Sequence, residues 1–480
     1  MLYAAQVVIE TTVEVGAPTS GRTGATIRDA AGPLQTVLSL LSCDDVELCL
    51  VTTALSPLGS MTSPLVRSTV AEQVGLPSQN VLIFSSHDHC VPLLAASERP
   101  AWQGGTRNTG SSPCLLPMGK RFVSQLEQAA ARLRDRLSPV TVHWAVGREG
   151  RITYNRKGRR ADGSTYFMRE EDRKLVARDY NGDIDPDATV TCFMGEDGRP
   201  AGFLTHFTGH PVTAYHPENP VAFGEWPQVA CDVLGKHFGD VPCGFMQGCC
   251  GDSNSKHFLS GDIEMATRLG SYLGDTFIKA AKTLTPSRRT DLGVISKEVH
   301  IPLARLPTPA KLQRDLQEID DFLTRAEEGD ENTLTCVGLN FPRALSPAYR
   351  AKLIRPVQAW TQWARRMHST GGVDTLPKHL AVEIHALRIG DVGIVGLPCE
   401  PFMGIGRRIK AGSPLPVNIA CGYTNLSYGY VTDAPNTGDR EYMSSFYRYT
   451  PSLPPYRRPA GDVLAREGVR MLTKLAREDR

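Results

Sequence analysis

Apolar residues along this chain occur in two patterns, short continuous runs and helical spacing, which together indicate strands interleaved with helices. Residues 80–84 form an apolar run after Pro77, as expected for a buried strand, and residues 140–144 and 201–207 are similar. Apolar residues recur at helical spacing in several other segments. This spacing predicts helices at 122–137, 226–238, 265–277, 312–326 and 349–367. Pro139 is expected to end the first of these helices.

The C-terminal third adds a hairpin and a final helix. Residues 381–389 and 392–397 are strand-like and flank Gly390-Asp391, a favourable two-residue hairpin turn. After the proline-rich stretch 451–459, Asp462 is predicted to cap an amphipathic helix. Residues 151–187 are polar and lack any period, so we expect a long ordered loop that passes over a site.

Strands that alternate with helices indicate the α/β class. We find no internal repeat, low-complexity tract or clear linker, so residues 1–480 are predicted to form a single domain. The two helices between 305 and 370 are predicted to form a helical insertion in that domain.

Composition and charge exclude several classes of protein. Apolar residues make up 41% and charged residues 22% of the 480 residues, as in ordinary globular proteins. The net charge of +2 is too small to hold a nucleic-acid backbone. No apolar run reaches membrane-spanning length, the N-terminus lacks a secretory pattern, and the 12 cysteines are scattered. We therefore expect a cytoplasmic protein with reduced thiols; a homo-oligomer stays possible.

Histidines follow two of the predicted strands. His87 and His89 come directly after the strand at 80–84, and in an extended chain residues i and i+2 point the same way. Such a pair is suited to metal binding or to acid–base catalysis, although two exposed histidines in a loop would give the same sequence pattern. His206 and His210 stand at the end of the strand at 201–207, but Gly209 and Pro211 argue against a helix, so we expect only one of them to reach a site.

Three further segments could serve such a site. Glu400 ends an apolar strand and could be an oxygen ligand beside two imidazoles, or could simply favour the start of the next helix. Asp252, in a glycine-rich turn, could orient a ligating histidine or form a plain Asx turn. Cys250 is a weaker candidate nucleophile, and Arg156 could polarise an acyl oxygen.

The order of these motifs resembles the neutral/alkaline non-lysosomal ceramidase family over most of its catalytic domain. Six segments carry the resemblance in the family's order, namely 80–89, 155–156, 207–212, 251–254, 397–402 and 422–432. The resemblance implies a mixed α/β catalytic domain with sheets flanked by helices. We expect no C-terminal immunoglobulin-like domain, because the chain stops soon after the last motif.

The resemblance also implies a zinc amidase, in which a zinc-bound hydroxide attacks an amide carbonyl. It assigns roles residue by residue. The implied zinc ligands are His87, His210, Glu400 and Tyr430. The implied catalytic residues are His89, which faces the water and the scissile group, and Arg156 and Tyr442, around the acyl oxygen. Asp252 and Asn254 are expected to support or line the substrate pocket.

Several positions depart from the family pattern on the substrate side. Asp88 and Cys90 stand where the family has small residues, and the segment around Glu225 also differs. We therefore expect C–N hydrolysis of an N-acyl or other amide, a small molecule or lipid-like metabolite that could belong to a biosynthetic pathway. The alternatives are a zinc ester or lactone hydrolase, an acyl-transfer or amide-forming enzyme, and a binding protein that retains the fold. Neither the roles of Asp88, Glu225, Cys249 and Cys250 nor the substrate follow from the sequence.

Overall fold

The computed structural model of the protein describes residues 1–19, 24–96, 113–177 and 179–478. Its strands in the first half of the chain are β1 (Leu2–Thr11), β2 (Asp29–Ala30), β3 (Leu34–Cys43), β4 (Val46–Thr53), β5 (Val81–Ser85), β6 (Ser138–Arg148), β7 (Thr153–Asn155), β8 (Lys157–Arg159), β9 (Thr165–Phe167), β10 (Asp187–Gly195), β11 (Pro200–Phe207) and β12 (Val221–Ala222). The strands that follow are β13 (Cys243–Gln247), β14 (Ser253–Ser255), β15 (Thr285–Pro286), β16 (Leu292–Pro302), β17 (Thr335–Cys336), β18 (Leu339–Asn340), β19 (His379–Ile389), β20 (Val392–Gly396), β21 (Glu400–Pro401), β22 (Val417–Cys421) and β23 (Tyr430–Val431).

The α-helices lie between these strands. They are α1 (Thr62–Val74), α2 (Pro117–Ala130), α3 (Glu170–Val176), α4 (Glu225–His237), α5 (Ile263–Ala281), α6 (Pro309–Glu327), α7 (Pro347–Ser369), α8 (Met403–Gly412) and α9 (Asp462–Arg477). None of the helices in the described ranges has the length and apolar character that a membrane crossing requires.

Two mixed sheets form the centre of the fold. The larger sheet has the order β13-β11-β10-β6-β1-β3-β4-β5, with β15 beside β6, and the smaller has the order β16-β19-β20-β22. In the larger sheet β11 pairs with β13 and β4 pairs with β5 in parallel, whereas the other pairs are antiparallel. Strands that are buried on both faces read as continuous apolar runs, which is the pattern of β5.

The sheets pack face to face with helices on their outer sides. One apolar cluster joins residues of β4 and β5, such as Leu50 and Leu82, to residues of the smaller sheet, such as Leu387 and Ile394. Helices α1 and α2 cover the other face of the larger sheet, and α8 and α9 cover the other face of the smaller one. The α/β class with mixed sheets and flanking helices is therefore confirmed.

Most of the predicted elements are present with shifted ends. The hairpin around Gly390 is confirmed, with β19 and β20 antiparallel and Gly390 at a φ of +59°. Helices α6 and α7 pack against each other. In the chain they lie between β16 and β19, two strands that pair directly with each other. The helix predicted to reach Leu137 instead ends at Ala130 and continues as turns.

Two predictions need correction. The stretch 151–187, apart from residue 178, which lies outside the described residues, contains β7, β8, β9 and α3 rather than loop alone. Its strands are too short to show a period in the sequence. Asp462 is the first residue of α9 and does not cap it; its carboxylate instead accepts a hydrogen bond from the Ala434 N–H at 3.1 Å.

Candidate metal centre and active site

The turn after β5 brings His87 and His89 together. His87 has a φ of +65°, in the left-handed region, and the Asp88 carboxylate accepts a hydrogen bond from the Cys90 N–H at 2.7 Å. The Nε2 atoms of the two histidines lie 3.2 Å apart. The pair therefore shares one pocket as predicted, but through a tight turn and not through the alternation of an extended chain.

The turn after β11 brings His210 to the same place. Its Nδ1 lies 2.7 Å from the Cys250 carbonyl and 3.1 Å from the Ser253 carbonyl. Because carbonyl oxygens only accept, Nδ1 carries the proton and Nε2 presents a lone pair to the pocket. His206 stays in the core, where its Nε2 contacts the Ala420 carbonyl at 3.3 Å, so only one histidine of this pair reaches the site.

Gln247, which the sequence did not single out, joins the two histidine turns. Its Nε2 donates to the Ser86 carbonyl at 2.8 Å, and its Oε1 accepts from the Gly209 N–H at 3.2 Å. The side chain is fully buried. One amide therefore fixes the distance between the residue that precedes His87 and the residue that precedes His210.

Glu400 and Tyr430 enter the site from the opposite side. They are direct partners in the parallel pair β21–β23, so their side chains leave neighbouring strands at the same level. Glu400 Oε2 lies 3.3 Å from Nε2 of both His87 and His210. The Tyr430 hydroxyl lies 3.4 Å from His210 Nε2. The α8 N-terminus is not capped by Glu400, because the Asp252 carboxylate accepts from the Met403 N–H at 2.8 Å.

Arg156 is the buried cation of this cluster. Its Nη2 donates to the Tyr430 hydroxyl at 2.8 Å and lies 3.2 Å from His210 Nε2. Its Nη1 donates to Asn254 Oδ1 at 2.9 Å, and its main-chain N–H donates to the Asp252 carbonyl at 2.9 Å. Asn254 and Asp252 thus hold Arg156 in place; their contact with a substrate stays a prediction.

The charges of the cluster follow from burial and from these neighbours. Burial, reinforced by Arg156, lowers the pKa of His210 to about 3. Burial and the other two imidazoles hold the pKa of His89 well below its usual value. Burial opposes ionisation of Glu400, but the neighbouring His87 and His210 side chains outweigh it and keep the pKa of that carboxyl well below its usual range. At neutral pH His89 and His210 are therefore neutral imidazoles beside the Glu400 carboxylate.

This donor set fits a divalent metal ion. One nitrogen each of His87, His89 and His210 lies within 4.8 Å of the others, so these residues could hold a metal. The His210 Nε2 lone pair and Glu400 Oε2 are both acceptors, yet they lie only 3.3 Å apart. A cation would satisfy both of them, and imidazole nitrogen with carboxylate oxygen is a common ligand set.

Aromatic rings form the wall next to this cluster. The Tyr442 ring lies 5.6 Å from that of Tyr430 and 6.2 Å from that of Phe167, on β9. On the other side, the Tyr215 ring lies 5.0 Å from the half-buried His89. Tyr442 thus lies close to Tyr430, and its contact with an acyl oxygen stays a prediction. Tyr215 and Phe167 were missed, because a single aromatic residue in a loop is equally typical of packing.

The buried acids and thiols around the site support its turns. Glu225 accepts from the Ala214 N–H at 2.5 Å, and burial raises its pKa to about 7. Burial also raises the pKa of the Cys249 and Cys250 thiols, which disfavours the reactive thiolate. None of the 12 cysteines, all of which fall in the described ranges, forms a disulfide.

Solved structures of similar fold are ceramidases. The neutral ceramidase from Pseudomonas aeruginosa has a TM-score of 0.64 and 15% sequence identity, over 99% of this chain and 74% of that chain. A ceramidase complexed with C2 has a TM-score of 0.63 and 15% identity, over 99% and 75% of the two chains. No protein-family model and no curated protein matches the sequence. At this identity the similarity establishes a ceramidase-like fold.

Proposed function

We propose that this protein is a zinc-dependent amide hydrolase that cleaves the C–N bond of an N-acyl compound. The observation that carries the proposal is the buried convergence of His87, His210 and Glu400, with both imidazole Nε2 atoms 3.3 Å from the same carboxylate oxygen. The ceramidase-like fold supports the same chemistry.

His87, His210, Glu400 and Tyr430 are the residues that would hold the metal. Zinc bound there would act as a Lewis acid and would lower the pKa of a water molecule from ~15.7 to about 7. The buried Gln247 amide fixes the separation of the His87 and His210 turns, and the β21–β23 pairing fixes that of Glu400 and Tyr430. Preorganisation of that kind is what a catalytic metal site requires.

Arg156 would bind the acyl oxygen of the substrate together with Tyr442. The guanidinium is held by Asn254 and by the Gly251 carbonyl at 2.8 Å, so it meets the substrate already oriented. Donors aimed at an oxygen that becomes negative in the transition state are typically worth ~2.7–4 kcal/mol each.

His89 would move the proton between the attacking water and the leaving amine. Its imidazole is neutral at pH 7 because burial and the neighbouring imidazoles lower its pKa, so it can accept a proton. It is also more exposed than His87 and His210, which places it on the side from which a substrate enters. General acid–base catalysis of this kind typically contributes about 10²–10⁴-fold.

The aromatic wall guides the proposal for the substrate. The Tyr215 ring lies beside His89, and the Tyr442 ring lies beside Tyr430 and Phe167, which suits an amide with apolar or aromatic parts. We propose a small-molecule or lipid-like N-acyl amide. The unpaired thiols support a reducing compartment such as the cytoplasm.

Elemental analysis of the wild type beside His210→Ala tests the proposal, with His216→Ala as the control. We expect about one zinc per chain in the wild type and in the control, and loss of both zinc and hydrolysis of N-acyl amides in His210→Ala. His216 is a suitable control because it is half-buried and its Nδ1 accepts a hydrogen bond from the Glu218 N–H at 3.3 Å. A wild type that cannot be loaded with metal would contradict the proposal.

A further inference from the structure

Tyr423 lies against one of the proposed metal ligands. Its ring is stacked on the imidazole of His87, with the ring centroids 4.0 Å apart and the planes inclined by 14°. The residue is fully buried and has a φ of +55°, which is uncommon for a residue other than glycine. The stack covers one face of the imidazole and so limits rotation of the His87 ring.

The Tyr423 hydroxyl contacts a residue that holds a second proposed ligand, His210. It lies 3.0 Å from Cys250 Sγ, and the carbonyl of Cys250 is the oxygen that His210 Nδ1 approaches at 2.7 Å. That contact, together with the Ser253 carbonyl at 3.1 Å, decides which nitrogen of His210 carries the proton. Tyr423 therefore reaches His87 through its ring and His210 through Cys250, by two independent routes.

The main chain around Tyr423 is fixed on both sides. The Tyr423 N–H donates to the Cys399 carbonyl at 3.0 Å, directly before Glu400. Asn425, at a φ of +62°, donates its N–H to the Ile83 carbonyl at 2.8 Å and accepts from the Ile83 N–H through Oδ1 at 2.9 Å. This turn is thus tied both to β5, which leads to His87, and to the segment that carries Glu400.

We propose that Tyr423 is a positioning residue that sets the ring plane of His87 and the tautomer of His210, and thereby the metal affinity of the site. The inference rests on the proposed metal-dependent function. A residue that merely filled the core would influence the stability of the protein but not the coordination of a metal. Partners that orient metal ligands typically contribute 10- to 100-fold to metal affinity.

The test compares Tyr423→Leu, Tyr423→Phe and the control Phe277→Leu in the full chain. Phe277 is a fully buried ring on α5, outside the site. The readouts are zinc affinity, by competition with a chromophoric chelator, and the visible spectrum of the Co²⁺-loaded protein. Tyr423→Leu should bind zinc roughly 10- to 100-fold more weakly and change the Co²⁺ spectrum. Tyr423→Phe, which keeps the ring, should fall between Tyr423→Leu and the wild type, and Phe277→Leu should match the wild type in both readouts.

A third readout does not depend on metal. In protein labelled with ¹⁵N-histidine, the wild type should show His210 with its proton on Nδ1, and Tyr423→Leu should show a mixture of tautomers. Unchanged zinc affinity and an unchanged tautomer in Tyr423→Leu would overturn the inference. If that variant does not fold, the same two results in Tyr423→Phe overturn it.

The outcomes separate this inference from the proposed function. A wild type that binds neither Zn²⁺ nor Co²⁺ would refute the metal-dependent function, and the His210 tautomer alone would then decide the role of Tyr423. A wild type that binds metal, with variants that bind it equally well, would leave the function standing and refute the positioning role.

Discussion

A pair of histidines stands at the end of each of the strands β5 and β11, and the two pairs differ in how many of their members reach the site. After β5, His87 and His89 both lie in the turn and both reach the site. In β11, His206 is still within the strand and contacts the Ala420 carbonyl of the facing sheet, whereas His210 lies beyond the strand and reaches the site. The position of a histidine relative to the end of its strand therefore decides whether it serves the core or the site.

The environments of the two pairs differ in the same way. His206 is enclosed by fixed groups, among them Asp185, whose carboxylate pairs with Lys410 at 2.7 Å. His89, by contrast, is half-buried beside the Tyr215 ring and can meet a ligand. Substitutions in each histidine pair test whether this difference determines their roles.

The largest effect is expected from His89→Ala. Loss of the proton-transferring group should reduce amide hydrolysis by about 10²–10⁴-fold, and should affect activated esters much less because their leaving group needs no proton. The metal content should stay unchanged. Steady-state kinetics on a matched amide and ester, with metal analysis, would check this. Equal losses on both substrates would refute the role of His89 as acid, and loss of metal would make His89 a ligand.

Arg156→Lys is expected to have the next largest effect. Lysine cannot contact Tyr430, Asn254 and the Gly251 carbonyl together, so the charge would no longer be aimed at the acyl oxygen. We expect kcat to fall by roughly 10²–10³-fold. Arg159→Lys is the matched control, since Arg159 is exposed and its Nη1 donates to the Gly163 carbonyl at 2.9 Å. A kcat equal to that of the control would exclude Arg156 from the reaction.

The smallest effect is expected from His206→Leu, which should reduce stability and not activity. The Ala420 carbonyl would lose the contact from His206, at a cost of about 1–3 kcal/mol in the free energy of unfolding near pH 7.5. Urea denaturation would measure this, with the exposed His300→Leu as a control. A loss of kcat per folded molecule would show that the strand histidine also serves the site.

The difference in the free energy of unfolding between the wild type and His206→Leu depends on pH with a definite sign. Burial lowers the pKa of His206 to about 3, so the folded protein resists a proton that the unfolded chain accepts below about pH 6.5. The wild type should therefore lose stability through this group as the pH falls, by about 1.4 kcal/mol per pH unit, whereas the leucine variant should not. The stability advantage of the wild type over His206→Leu should decrease by about 2 kcal/mol from pH 7.5 to pH 5.0. An advantage that does not change with pH would contradict the burial of a neutral imidazole at this position.

Local sequence patterns predicted several of the secondary-structure elements well. Apolar runs and helical spacing are local signals, so β5, β11, α6, α7 and the β19–β20 hairpin could be recognised. The glycine and proline beside His210 also indicated correctly that only one histidine of that pair would reach the site. Residues such as Gln247 and Tyr423 could not be found in this way, because their partners lie far away in the chain.

The His87–His89 turn shows the same limit. The alternation of an extended chain gave the correct neighbours for an incorrect reason, because a positive φ at His87 leaves no signal in residue type. The pairing of Glu400 with Tyr430 depends on the register of two short strands, and both α8 and β22 lie between those strands in the chain. Local patterns do not encode such a register.

The scattering of the proposed ligands along the chain has a consequence for synthesis. His87, His210, Glu400 and Tyr430 come from four segments, and Tyr430 is synthesised after the other three. A nascent chain that lacks Tyr430 therefore has no complete set of proposed ligands, and a metal would be captured only after both sheets have docked. Metal loading of this protein would thus report that its assembly is complete, and an arrested or truncated chain would be left without its ion.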